Sequence, residues 1–244
     1  MADTLLLPRP LIPALMVLAA DGAGTASISQ DAISRLERLG LACAGRASGL
    51  GRRLVADMTE ASLVISIECH TADLPFRSTI WARASSAIWG RPVDADVFEL
   101  RRIDPIELPL LLAQITDVGR RPRPPFSGTI TVPAAPLEAV RFGHHDTETS
   151  FGILVAAGVE PAWADRLLIA LDHRRIEWTV SSVWTDPDGG HGMVEVRVLD
   201  AGPAGYWHVH ANDDGTTTYT VGSLQSVMRA MRRTVPEWCG AAIS

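Results

Sequence analysis

The sequence predicts an α+β protein in which a helix, an antiparallel β-meander and a helix occur twice, related by a pseudo-two-fold. Three observations carry this. Short runs alternate apolar and polar residues and are separated by turn residues, as in Ser62–Cys69 and Tyr206–Ala211. Helical periodicity precedes and follows each set of such runs. Finally, LVADMTEASLVISI, ending at Ile67, resembles LIALDHRRIEWTV, ending at Val180, about 113 residues later.

The elements follow in order. Leu11–Ala20 is apolar but interrupted by Pro13 and preceded by Pro8 and Pro10. The only basic side chain before it is Arg9. It reads as a buried first segment, with a signal-peptide core as the alternative. Ser27 and Gln30 have capping-box spacing, and Ile28, Ala32, Ile33, Leu36 and Leu39 share a helical face that ends at Gly40. A helical or irregular stretch runs to Asp57. Ser62–Cys69, Ser78–Ala84 and Asp96–Ile103 read as strands, with a short one around Ala87–Trp89. Asp104, Pro105 and Glu107 begin a helix whose stripe is Leu108, Leu111, Leu112 and Ile115 and which Gly119 ends.

Residues 120–126, RRPRPPF, read as a Pro/Arg linker between halves 11–119 and 127–238 of a single domain spanning 1–244. In the second half, Thr129–Val132 is a short apolar segment and Glu138–Gly158 mixes helical signals with the polar insert GHHDTETS. Pro161–Leu171 is a helix. Ile176–Trp184, Met193–Asp200, Tyr206–Ala211 and Thr216–Val221 are strands, joined by the turn-rich TDPDGGHG, AGPAG and NDDG. Leu224, Val227, Met228 and Met231 form the closing helix, with Arg229, Arg232 and Arg233 near its C-terminal end, where cations suit the helix dipole.

Composition narrows the function. The chain of 244 residues is 47% hydrophobic and 20% charged, with a mean hydropathy of +0.13. That excludes a disordered chain. No apolar run is long enough for a membrane helix. All 22 cations are arginine, against 28 Asp and Glu, giving a net charge of -6, the reverse of a nucleic-acid binder. The whole excess of acid lies after residue 125, so a partner of the second half is expected to offer neutral or basic groups. Cys43, Cys69 and Cys239 are far apart, which argues against a disulfide framework or a structural zinc and for a reducing, cytoplasmic setting.

No phosphate-binding loop, dinucleotide fingerprint, nucleophile elbow or HExxH motif is present, and without lysine there is no lysine-based covalent catalysis. The histidines are the remaining chemistry. His208 and His210 share one strand face with Tyr206, while His144, His145 and Asp146 share a loop. Meeting in space, they would suggest a small metal- or His-dependent enzyme, but the expectation is no metal, no cofactor and no catalytic residue. Asp213 and Asp214 read as hairpin-turn residues. The seven tryptophans divide between core and an apolar recognition surface in proportions the sequence does not show.

The second half then supplies a resemblance. TVPAAPLEAV, AAGVEPAWADRLLIAL and VEVRVLDAGPAGYWHVHANDDGTTTYTVGSLQSVMRAMRRTVP resemble the EspG family of actinobacterial type VII secretion systems, over roughly residues 27–236 and better after 127. The resemblance implies a pseudo-symmetric α+β fold with no enzymatic activity and no cofactor. It implies a cytoplasmic chaperone that keeps secreted PE–PPE-like heterodimers, or other helical type VII substrates, soluble until export. The partner surface would use the sheet and the C-terminal helical region. A non-catalytic scaffold is the other reading, and the chain is expected to be a monomer or weak homodimer. With Trp207 and Val209 taken as core, Tyr206, His208 and His210 beside TDPDGGHG become the candidate partner-binding face. The closing helix around Gln225, Arg229 and Arg232 is the second candidate.

Overall fold

The computed structural model describes residues 4–20, 28–71 and 75–239. Both meanders join one ten-stranded antiparallel sheet. The first half supplies β1 (Thr4–Pro8), α1 (Leu11–Ala19), α2 (Gln30–Arg38), a small hairpin β2 (Ala42–Cys43) and β3 (Arg46–Ala47), and α3 (Gly49–Thr59). Strands β4 (Leu63–Thr71), β5 (Pro75–Arg83), β6 (Ser86–Pro92) and β7 (Val97–Ile103) follow, then α4 (Leu108–Ile115). The second half repeats the order with β8 (Thr129–Pro133), α5 (Ala134–Phe142), α6 (Thr147–Ala156) and α7 (Pro161–Asp172). It continues through β9 (Ile176–Thr185), β10 (His191–Asp200), β11 (Tyr206–Ala211), β12 (Thr216–Gly222) and α8 (Leu224–Arg232).

The strand order is β1-β7-β6-β5-β4-β9-β10-β11-β12-β8, which reads outward from the central β4–β9 pair identically in both halves. Ile67 pairs with Val180 across that pair. These are the residues on which the two similar sequence segments end. A residue paired with its own counterpart lies on the pseudo-two-fold axis. The matching edge strands β1 and β8 are each 5 residues long and both end in proline, which blunts the sheet edge against further pairing.

Alternation sorts side chains onto two faces. On one face α4 and α8 lie over the sheet's centre, burying Ile65, Ile67, Ile80, Trp178, Val180 and Val198 with Leu108, Leu112, Val227 and Met231. On the other face the helices stand at the wings. Helices α1–α3 pack on β1, β6 and β7 through Leu7, Leu15, Leu36, Ile88 and Leu100. Helices α5–α7 pack on the opposite wing through Val132, Leu154, Leu167, Trp207 and Tyr219.

Several local signals resolve differently from the sequence reading. Ser27 lies outside the described residues, and the cap of α2 is Ser29, whose hydroxyl accepts from the Ala32 amide at 3.2 Å. Helix α4 ends at Ile115 rather than at Gly119. Asp146 caps α6, accepting from the Thr149 amide at 2.7 Å, which turns the histidine-flanked loop into a helix start.

The proline-rich segment 120–126 is fastened rather than loose. Arg121 donates through Nε and Nη2 to Asp200 Oδ2 at 2.9 and 2.7 Å. Asp200, wholly buried, also accepts from the Gly202 amide at 2.9 Å. Phe126 packs among Trp163 and Trp207, and the Arg166 guanidinium lies over its ring at 4.5 Å.

Candidate functional site

Because the wing helices stand apart, the central strands β5, β4, β9 and β10 keep part of one face uncovered. Register arranges this face in rows. Trp81, Val64, Val183 and Met193 are cross-strand neighbours in the first row. Val183 is 54% and Met193 76% exposed. The next row is Thr79, Ser66, Ser181 and Glu195, where the Ser181 hydroxyl donates to Glu195 Oε2 at 3.2 Å. Arg77, Glu68, Thr179 and Arg197 form the third, with Arg77 and Glu68 paired at 3.2 Å.

The far end is charged. His70 pairs with Glu177 in register, and Glu177 is only 3% exposed. It accepts from Arg197 Nε at 2.8 Å and from Arg141, which reaches over from α5. A buried carboxylate needs such partners to offset lost hydration. A cavity of about 470 Å³ opens here, lined by His70, Arg141, Phe142, Arg174, Glu177 and Arg197.

The pseudo-two-fold makes this face informative. It relates Val64 to Glu177 and Val183 to His70, because Ile67 corresponds to Val180. A symmetric scaffold therefore carries an asymmetric surface, apolar at one end and charged at the other. Val183 and Met193 are adjacent across β9 and β10 and, with half-buried Val64 and Trp81, make a continuous apolar row on an otherwise polar face.

The sequence-predicted site residues lie on the opposite face, with α8. Tyr206 does not belong to any partner surface: it is 1% exposed. Its hydroxyl donates to the Gly119 carbonyl at 2.8 Å and accepts from the Gly119 amide at 3.0 Å. Burial raises its pKa. The expectation failed because both sheet faces are covered at this point, so Trp207 and Tyr206 are both core. His208 is half-buried and its Nε2 lies 2.9 Å from Ser226 Oγ. The Ser226 hydroxyl already donates to the Ser223 carbonyl at 2.9 Å and accepts from the Ser223 amide at 2.8 Å. The network therefore assigns Nε2–H as the donor to Ser226. Burial, then Arg233, lowers the His208 pKa. His210, Gln225, Arg229 and Arg232 are exposed. Of the six predicted residues, His208, His210 and Arg229 line one groove of about 400 Å³ with Ser226 and Arg233. The neighbouring loop 185–192 is partly closed by Trp238, whose Nε1 donates to Asp186 Oδ1 at 3.0 Å.

Among the described residues no group of three or more His, Cys, Asp and Glu is placed to hold a metal. Burial pushes Cys69 up to about 12 and Cys239 up to about 11, which leaves both as protonated thiols at neutral pH. Among the described residues no helix is long and apolar enough to cross a membrane.

The open-face residues Val64, Val183 and Met193 escaped the sequence reading. Their signal was present: Val64 and Val183 are apolar on the phase of their strands that otherwise carries Ser, Thr, Glu and His, and Met193 precedes Glu195 and Arg197 on its own.

No family model and no curated protein matches the chain. Among solved structures, 14 chains match. One is the Mycobacterium tuberculosis type VII secretion system chaperone EspG5, solved in complex with the PE25–PPE41 dimer. It shares 13% sequence identity, with a TM-score of 0.61 over 96% of this chain and 96% of that one. The chain has the EspG fold, as its second-half motifs led us to expect.

Proposed function

We propose that this protein is a cytoplasmic specificity chaperone of a type VII secretion system. It binds a PE–PPE-like heterodimer or a related helical substrate, keeps it soluble, and delivers it for export. The observation that carries this reading is the likeness of fold to EspG5 across 96% of both chains. The open sheet face supplies the docking surface. Its apolar row takes the apolar tip of a helical client, masking a patch that would otherwise self-associate. Val183 is 54% and Met193 76% exposed, so covering what remains is worth that share of the roughly 1.5–3 kcal/mol that full burial of such a side chain contributes. The charged end at Glu177, Arg141 and Arg197 then fixes which way round the client sits. The chaperone acts without cofactor, as a monomer or weak homodimer.

The test is co-expression with PE–PPE-like pairs encoded beside the gene. A soluble complex should form with the wild type and be lost with the double variant Val183→Asp/Met193→Asp, the variant keeping the circular dichroism of the wild type. Recovery of the complex at wild-type yield with that double variant would remove the open face from the account.

A further inference from the structure

We propose that the groove between α8 and the outer strands β10–β12 is a second docking site, and that it takes an acidic peptide segment of a protein partner. It lies on the face opposite the open strands, so it does not rest on the chaperone reading. Two arginines, Arg229 from α8 and Arg233 just after it, converge on it with two imidazoles from β11, His208 and His210, of which His208 is held toward its neutral form by burial and by Arg233. Among the described residues neither arginine has an ion-pair partner, although the chain holds 28 acids against 22 arginines. The two charged residues of β10 that border the groove aim the other way. Glu195 accepts from Ser181 and Arg197 binds Glu177, both on the open face. The acidic balance of this half therefore does not describe its local charge, and the expectation of a neutral or basic partner reverses here.

Two features mark the groove as built. The pseudo-symmetric partner of α8 is α4, sequence LPLLLAQI, which carries no charged residue. The fold therefore does not need cations at this position. Second, Gly222 lies beneath the His208–Ser226 pair. A Cβ there would stand 2.9 Å from His208 Cδ2 and 3.2 Å from Ser226 Oγ, so glycine is what lets the histidine lie down against α8. The dipole of α8 favours arginine near its end, but it does not account for two histidines meeting those arginines across a groove.

A carboxylate-bearing peptide fits this chemistry better than a nucleic acid. No Phe, Tyr or Trp lines the groove, whose only rings are the two imidazoles, so it lacks the large aromatic platforms on which single-stranded bases stack. A net charge of -6 repels an extended polyanion, while a short acidic segment feels mainly charges within about 8–10 Å.

The test uses the full chain and a fluorescein-labelled oligoglutamate peptide, read by fluorescence anisotropy at low and moderate salt. Binding should weaken with salt and fall about tenfold or more in Arg229→Glu/Arg233→Glu. It should be unchanged in Arg38→Glu/Arg123→Glu, which alters the net charge equally at exposed sites elsewhere. Arg229→Ala/Arg233→Ala serves as the milder variant, and circular dichroism checks the fold of each. No peptide binding by the wild type, equal loss in the control pair, or stronger binding of a labelled single-stranded oligonucleotide would each overturn the proposal.

Discussion

Replacing Asp200 with alanine tests whether segment 120–126 is structurally fastened to the second half. Asp200 is wholly buried, and the Arg121 side chain is 14% exposed. The carboxylate takes both Nε and Nη2 of Arg121, accepts from the Gly202 amide, and lies 3.6 Å from Arg175 Nη1. This ion pair raises the Arg121 pKa. Truncation leaves a guanidinium largely out of water with only the longer ion pair to Asp117 at 3.5 Å, a loss toward the lower end of the about 3–5 kcal/mol typical of a broken buried pair. At a urea slope of about 3 kcal/mol/M, the unfolding midpoint should fall by about 1 M or more. Removing both charges should be gentler. Asp200→Leu/Arg121→Met leaves mainly the Gly202 amide without an acceptor, a residual of about 1–3 kcal/mol. Urea unfolding of the wild type, both single variants and the double variant closes the cycle. A loss below about 1 kcal/mol for Asp200→Ala, or a double variant as unstable as the sum of the singles, would refute the argument.

Two other predictions concern titratable groups. Maleimide should label Cys43 alone in the native chain, since Cys43 is exposed while Cys69 and Cys239 are buried with pKa values of about 12 and about 11. Native labelling at either buried thiol would contradict this. His208 has a folded pKa lowered from 6.5, so the unfolded chain takes up its proton first on acidification. Its contribution to stability is complete above about pH 6.5 and drains away as the pH falls through the lowered folded value. His208→Gln should flatten the change in urea midpoint between pH 7.5 and 5.5, and an identical change in wild type and variant would count against it.

The strands were legible because period-2 alternation is a local signal: β11 begins and ends where Tyr206–Ala211 was read. The start of α7 at Pro161 was legible for the same kind of reason. Other features depend on contacts that the local sequence does not encode. TLLLP at Thr4–Pro8 carries no alternation, and it becomes a strand by pairing with β7. Arg121 meets a carboxylate 79 residues away, so proline-rich composition suggested a linker where tertiary contact makes a clasp. Alternation also placed Tyr206 and Trp207 on opposite faces correctly, but it carries no information on which faces are covered. That is why Tyr206 was misread as a partner contact and why Val183 and Met193 were overlooked. His208, His210 and Arg229 were legible as residues; their shared groove required β11 and α8 to be brought together.

If the open sheet face receives the client, binding should shield Met193 from oxidation. Met193 is 76% exposed in the uncovered row, while Met16, 41% exposed on α1, lies away from it. Limited peroxide oxidation followed by peptide mass spectrometry should modify both in the free chain. In a saturated complex with a PE–PPE-like heterodimer, oxidation of Met193 should slow several-fold while Met16 reacts as before. An unchanged Met193 rate in that complex would place the client elsewhere and contradict the account.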